Sequence, residues 1–134
     1  MEHPVRFRDD DPLLATVRER ALRLPGATEK VSHGRPNFRT TKVFAIYGAT
    51  VKGDHPSTRW DRSLQVLPDT DERAALLDNE RFFEPAYTAA SGWVGLDLTI
   101  GTPDWTEVDE LLDMSFRRTA PARLVAELGT LSSP

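Results

Sequence analysis

The chain reads as an α+β fold, an antiparallel sheet with helices packed on one face. Two observations predict this class. Runs with strand periodicity come in adjacent blocks instead of alternating singly with helices, and helical periodicity occupies both ends. The alternating run over 92–99 carries its aliphatic residues on one side only, as a sheet covered on one face requires.

The first helix starts at Asp11 and Pro12, a capping side chain followed by proline at the first helical position. Leu13, Leu14, Val17, Ala21 and Leu24 recur at helical spacing, and Pro25-Gly26 stops the run. Two short strands are expected at 36–40 and 42–49, joined tightly through Thr40-Thr41, with Phe38, Val43, Phe44 and Ile46 as apolar candidates. Gly53 and Pro56 mark 50–60 as a loop. Leu64, Val66 and Leu67 indicate a third strand ending at Pro68. A helix from Asp69 or Thr70 carries Ala74, Ala75, Leu76 and Leu77 and fades near Asp78-Asn79.

Two further strands are expected at 82–88 and 92–99. In the second, Val94, Leu96, Leu98 and Ile100 oppose Trp93, Gly95, Asp97 and Thr99. Asp104 with Glu107 resembles a capping box. The helix behind it places Trp105, Val108, Leu111, Leu112 and Phe116 on one buried stripe. Pro121 opens a short last helix with Leu124, Val125 and Leu128 inward, and residues 129–134 are expected to fray. The order is helix, three strands, helix, two strands, helix, with that short helix appended.

A length of 134 residues suits one domain with one core, spanning about 13–128. The absence of cysteine excludes disulfides, iron–sulfur ligation and thiol nucleophiles. No apolar run approaches the ~20 residues of a membrane span. The charged stretch Met1 to Asp11 lacks the apolar core of a signal peptide, so a cytoplasmic protein with no membrane partner is expected. The net charge of −4 is unevenly spread. Residues 29–62 carry seven basic side chains against three acidic, whereas 63–134 carry five basic against thirteen acidic.

No enzyme signature emerges, so no catalytic residue is assigned. His3, His33 and His55 lack metal-ligand spacing with one another or with a carboxylate pair, and neither a metal nor a cofactor is expected. His33 reads as a loop histidine bonded to nearby backbone, or alternatively as a proton donor or phosphate contact. His55 beside Asp54 reads as a solvated pair, since a dyad needs a nucleophile and an orienting group. Ser32 lacks the flanking glycines of a nucleophile elbow. Glu29 is read as structural, orienting an arginine or the hairpin. Gly92-Trp93-Val94-Gly95 lies in a strand pattern without a phosphate-binding lysine, so its glycines are expected to allow a bulge or close packing against Trp93 or Tyr87.

Several short pieces carry a family resemblance through their order and spacing. They are Leu24-Pro25-Gly26 followed by Glu29, Gly34-x-Pro36-x-Phe38, Lys42-x-Phe44-Ala45, Glu72-Arg73-Ala74, Phe82-Phe83, Tyr87 and Gly92-Trp93-Val94. Together they resemble the MmcQ/YjbR family of small bacterial proteins over roughly 13–128. That resemblance implies a secretion-chaperone-like α+β fold and a DNA-binding label without an established reaction. Two departures stand out: Leu67 occupies a position where relatives commonly have a cation, and the loop 49–61 is longer than usual.

The surviving candidate site is a cationic hairpin of Lys30, His33, Arg35, Asn37, Arg39 and Lys42. Alternation along the strand puts Arg35, Asn37 and Arg39 on one face and Pro36 and Phe38 on the other. Such a wing would set cations against phosphates with Asn37 within reach of a base edge, binding DNA weakly. In a competing reading these cations pair with the acidic C-terminal helix. A protein-interaction or chaperone-like adaptor is the alternative function. A third is a small-ligand or enzymatic cleft near Tyr87, Trp93 and His33, and loop residues Lys52, His55 and Arg59 are possible additions to the binding face.

Overall fold

The computed structural model describes residues 4–132, with the backbone alone at 129–132. The chain runs α1 (Pro12–Ala21), β1 (Thr28–Ser32), β2 (Arg35–Arg39), β3 (Val43–Tyr47), β4 (Ser63–Val66), α2 (Thr70–Leu77), β5 (Phe82–Phe83), β6 (Val94–Asp97), α3 (Trp105–Thr119) and α4 (Ala122–Ser132). All strand pairs are antiparallel, in the order β1-β2-β3-β4-β6-β5. The predicted class holds, with one more strand than expected.

The additional strand is β1. Its turn to β2 is His33-Gly34, both with positive φ (54° and 77°), as a two-residue hairpin whose twist matches its strands requires. The expected strand 42–49 supplies only Val43–Tyr47, and two other strands are also shorter than expected. The run over 82–88 supplies only Phe82–Phe83 before an irregular segment and a 3₁₀ turn at Thr88–Ser91, and 92–99 supplies only Val94–Asp97. The tail expected from Gly129 continues as helix to Ser132, and residues 133–134 lie outside the described residues.

The helices cover one face. Leu14 and Val17 of α1 and Leu111, Leu112 and Phe116 of α3 bury against Phe38, Tyr47, Leu64, Val66, Val94 and Leu96 in a single core. The register between β2 and β3 slips by one residue after Phe38, and the bulge lets Phe44 join Ala45 in the core. The Phe44 ring then meets Phe116 edge-on, 5.5 Å between centroids. Asp11 caps α1 through Leu13 N–H and also accepts from the Tyr47 hydroxyl and Arg62. Asp104 caps α3 as expected, but Glu107 turns to Arg81 and leaves the capping box half made. Trp105, expected deep in the core, is only half-buried and lies beneath the Arg20 guanidinium.

The opposite face carries a buried polar row: Arg35, Asn37, Gln65, Ser63 and Asp97. Loop residues 48–62 fold back over it. Ala49 N–H donates to Trp60 O, and the Trp60 ring packs 4.3 Å from Phe83. Gly95 is packed against Phe83, where a Cβ would lie 2.3 Å from the ring. The long loop is therefore a structural roof over half the sheet.

Candidate functional site

The open face offers two adjoining features, a charged edge and a cleft. Both depend on the β1–β2 hairpin, whose register pairs Thr28 with Arg39, Lys30 with Asn37 and Ser32 with Arg35. Lys30 and Arg39 thus occupy one face as diagonal neighbours, with Lys42 just beyond Arg39 across the turn to β3. Lys30 and Lys42 are exposed and Arg39 is half-buried, donating to Thr41 O at 3.1 Å.

The six predicted residues divide. Pro36 and Phe38 do face the core while Arg35, Asn37 and Arg39 take the other side. Arg35, however, is inside the protein, its guanidinium donating to Asp61 Oδ1 at 3.0 Å and Ala49 O at 2.9 Å. Burial pushes the Arg35 pKa down, and the hydrogen bond to Asp61 offsets part of that cost. This cation anchors the roof and is unavailable to a phosphate. Asn37 is also buried, with Nδ2 donating to Ser32 O and Arg35 O. His33 is exposed, its Nδ1 lying 3.0 Å from Ser32 Oγ. His3 lies outside the described residues.

The acidic C-terminal helix does not neutralise the hairpin. Asp109 pairs with Arg20, Glu107 with Arg81 and Asp113 with Arg117, all within 3 Å. Glu29 accepts from Arg18 Nε at 2.8 Å and ties β1 to α1, the structural part expected of it. Among the described residues, no ion pair reaches Lys30, Arg39 or Lys42.

Beside this edge lies a cleft of about 450 Å³ whose walls include Arg6, His33, Asn37, His55, Gln65 and Tyr87. Of the residues named for a cleft in the sequence, His33 and Tyr87 belong to it and Trp93 does not. Of the loop candidates, His55 joins the wall while Arg59 is held by buried Asp97 at 2.5 Å. Burial disfavours the Asp97 charge, but bonds from Arg59 and Thr99 bring its pKa below the usual carboxylate range. Gln65 fixes the floor, donating to Gly48 O and accepting from Thr88 Oγ1. Sequence reasoning missed Arg6 and Gln65 because contacts spanning 17 to 51 residues position both. Among the described residues, no cluster of three or more histidine or acidic side chains could hold a metal ion.

The YjbR family model matches residues 22–118, which takes in the hairpin, the loop, most of α3 and the cleft apart from its N-terminal wall at Arg6. The chain belongs to the YjbR family. A search of curated proteins finds no match. Among solved structures, the chain is similar to the Deinococcus radiodurans protein DR2400, described with a DUF419 family-model domain, at a TM-score of 0.63 and 17% identity, covering 87% of each chain. At that identity the likeness shows the fold, and the YjbR architecture seen here is shared with it. No helix among the described residues is long and apolar enough to cross a membrane.

Proposed function

We propose that this YjbR protein is a non-enzymatic nucleic-acid-binding module using the edge formed by Lys30, Arg39 and Lys42. The observation that carries the reading is that among the described residues they have no ion-pair partner, while Glu107, Asp109 and Asp113 of α3 are engaged by other arginines. Cations without an acidic partner among the described residues, in a chain of net charge −4, form a local patch that attracts phosphates, and the net negative remainder repels them. Binding is therefore weak and nearly indifferent to sequence, since phosphate contacts position a nucleic acid without reading it. Arg35, which sequence alone placed in this patch, is excluded because Asp61 holds it.

Fluorescence anisotropy with a labelled duplex tests this. Three phosphate contacts give a log–log salt slope near −3, from roughly −0.9 per contact. Arg39→Glu should remove binding at low salt and change stability by only ~0–1 kcal/mol. Equal binding by wild type and variant, or none by either, would reject the edge as a phosphate site.

A second reading is favoured by one feature, the position of β1 at the edge of the sheet with Val31 exposed. An adaptor would add a partner's strand there through main-chain hydrogen bonds. Lys30 at the middle of that strand is the kind of charge that discourages such pairing, so the nucleic-acid reading ranks first.

A further inference from the structure

We infer that the charged edge and the adjoining cleft form one site for single-stranded nucleic acid, with an unstacked base received beside Tyr87. This rests on the nucleic-acid reading above and adds what the phosphate edge alone cannot supply, a place for a base.

Tyr87 carries the inference. It is 82% exposed, so its ring contributes little to the core. Its backbone is nevertheless held at φ 69°, ψ −55°, with Thr88 N–H donating to Ala86 O at 2.8 Å across it. That is the rare γ-turn of positive φ, strained for a residue with a side chain. Such strain persists only where surrounding bonds fix it, and both flanks are fixed here. Ala86 N–H donates to Thr50 O at 2.8 Å, and Thr88 Oγ1 donates to Gln65 Oε1 at 2.6 Å. A rigid turn therefore presents an aromatic ring to solvent at the mouth of a cleft.

The surroundings fit a planar heterocycle joined to phosphates. Tyr87 lines both the cleft and a second hollow that Lys52 also lines, with the His55 ring 5.5 Å from its own. Both protons of Asn37 Nδ2 are given to backbone carbonyls, which orients the amide and leaves Oδ1 as an acceptor for a base N–H. Asn37 is the direct cross-strand partner of Lys30, so the cleft wall and the phosphate edge meet there. A paired duplex keeps its bases stacked inside and cannot offer one to this ring, whereas a single strand can.

The test compares three labelled oligomers of equal length at low salt: oligothymidylate, its abasic counterpart and a duplex. Oligothymidylate should bind at least about fivefold tighter than the abasic strand, the effect of one stacked base. Tyr87→Ala should erase that difference and leave abasic binding unchanged, and Tyr87→Phe should preserve it. Arg39→Glu should weaken all three. Equal affinity for the thymidylate and abasic strands overturns the base site, as does a thymidylate preference that survives Tyr87→Ala; in both cases the phosphate edge stands. No binding by any oligomer overturns both readings.

Discussion

Arg35 and Asp61 are joined by a 3.0 Å ion pair that pins loop 48–62 to the second strand of the sheet. The arginine side chain is 8% exposed, so its charge has little water to fall back on. Removing one member of a buried pair leaves the other uncompensated, at a cost of about 3–5 kcal/mol. Asp61→Ala should therefore lower stability by an amount in that range. A denaturant melt reporting less than about 1 kcal/mol would mean that Arg35 can reach solvent, and would return it to the phosphate edge.

Gly95 and Phe83 give a second prediction. A Cβ on Gly95 would sit 2.3 Å from the Phe83 ring, which is itself packed on Trp60, so the ring or the strand must shift to admit it. Overpacking of this kind costs typically 1–3 kcal/mol. Gly95→Ala should show that loss in thermal or denaturant melts, and Phe83→Leu in the same chain should recover part of it. Additive losses in the double variant would show that the two positions are uncoupled.

The helix register was legible in the sequence because apolar spacing and the Asp11 and Asp104 caps act locally, although α1 ends at Ala21, short of Leu24 and the Pro25-Gly26 stop. Strand β1 was not, because Thr28–Ser32 is a polar edge strand without apolar alternation, and only the His33-Gly34 turn signals it. Alternation assigned Arg35 to the correct face. Whether that face meets water is decided by Asp61, 26 residues away, and by a loop whose path no local pattern encodes. The same distance hid the cleft, which forms where β2, the loop and the 82–88 segment converge.

Trp105 and Phe116 separate the exposed start of α3 from its buried end. Phe116 is fully buried against Phe44, so Phe116→Ala should cost ~3–5 kcal/mol. Trp105 is half-buried, packing at the margin of the core and beneath the Arg20 guanidinium. Trp105→Ala should cost about 1–2 kcal/mol, below the range for a buried aromatic. Equal losses in a denaturant melt would contradict this placement of the helix.

Acid should unfold the protein partly through Asp11 and Asp97. Burial opposes both charges, yet hydrogen bonds from Arg62 and Tyr47 to Asp11, and from Arg59 and Thr99 to Asp97, leave each folded pKa below its ordinary value. A depressed carboxyl pKa contributes stability that is complete above the unfolded value of about 3.9 and lost as pH falls through the folded value. Melting temperature should therefore fall on acidification below about pH 4, and less steeply in a variant carrying Asp11→Asn and Asp97→Asn. Parallel acid profiles would mean that other carboxylates control the transition.

Tyr87 allows stability and binding to be pulled in opposite directions. Its positive φ is a cost of order 1–3 kcal/mol that its exposed ring does not offset through burial. Glycine adopts that region freely, at the expense of a more flexible unfolded chain worth roughly 0.5–1 kcal/mol. Tyr87→Gly should thus leave the protein as stable as the wild type or more so, by up to about 2 kcal/mol, while removing the platform for a base. Tyr87→Ala keeps the strain and should not gain stability. A position selected only for folding would not combine a stabilising glycine substitution with lost oligothymidylate preference, so thermal melts and anisotropy on the same two variants decide between them. If Tyr87→Gly destabilises the chain by more than 1 kcal/mol, the ring is contributing to packing, and its exposure at the cleft is not a reserved binding surface.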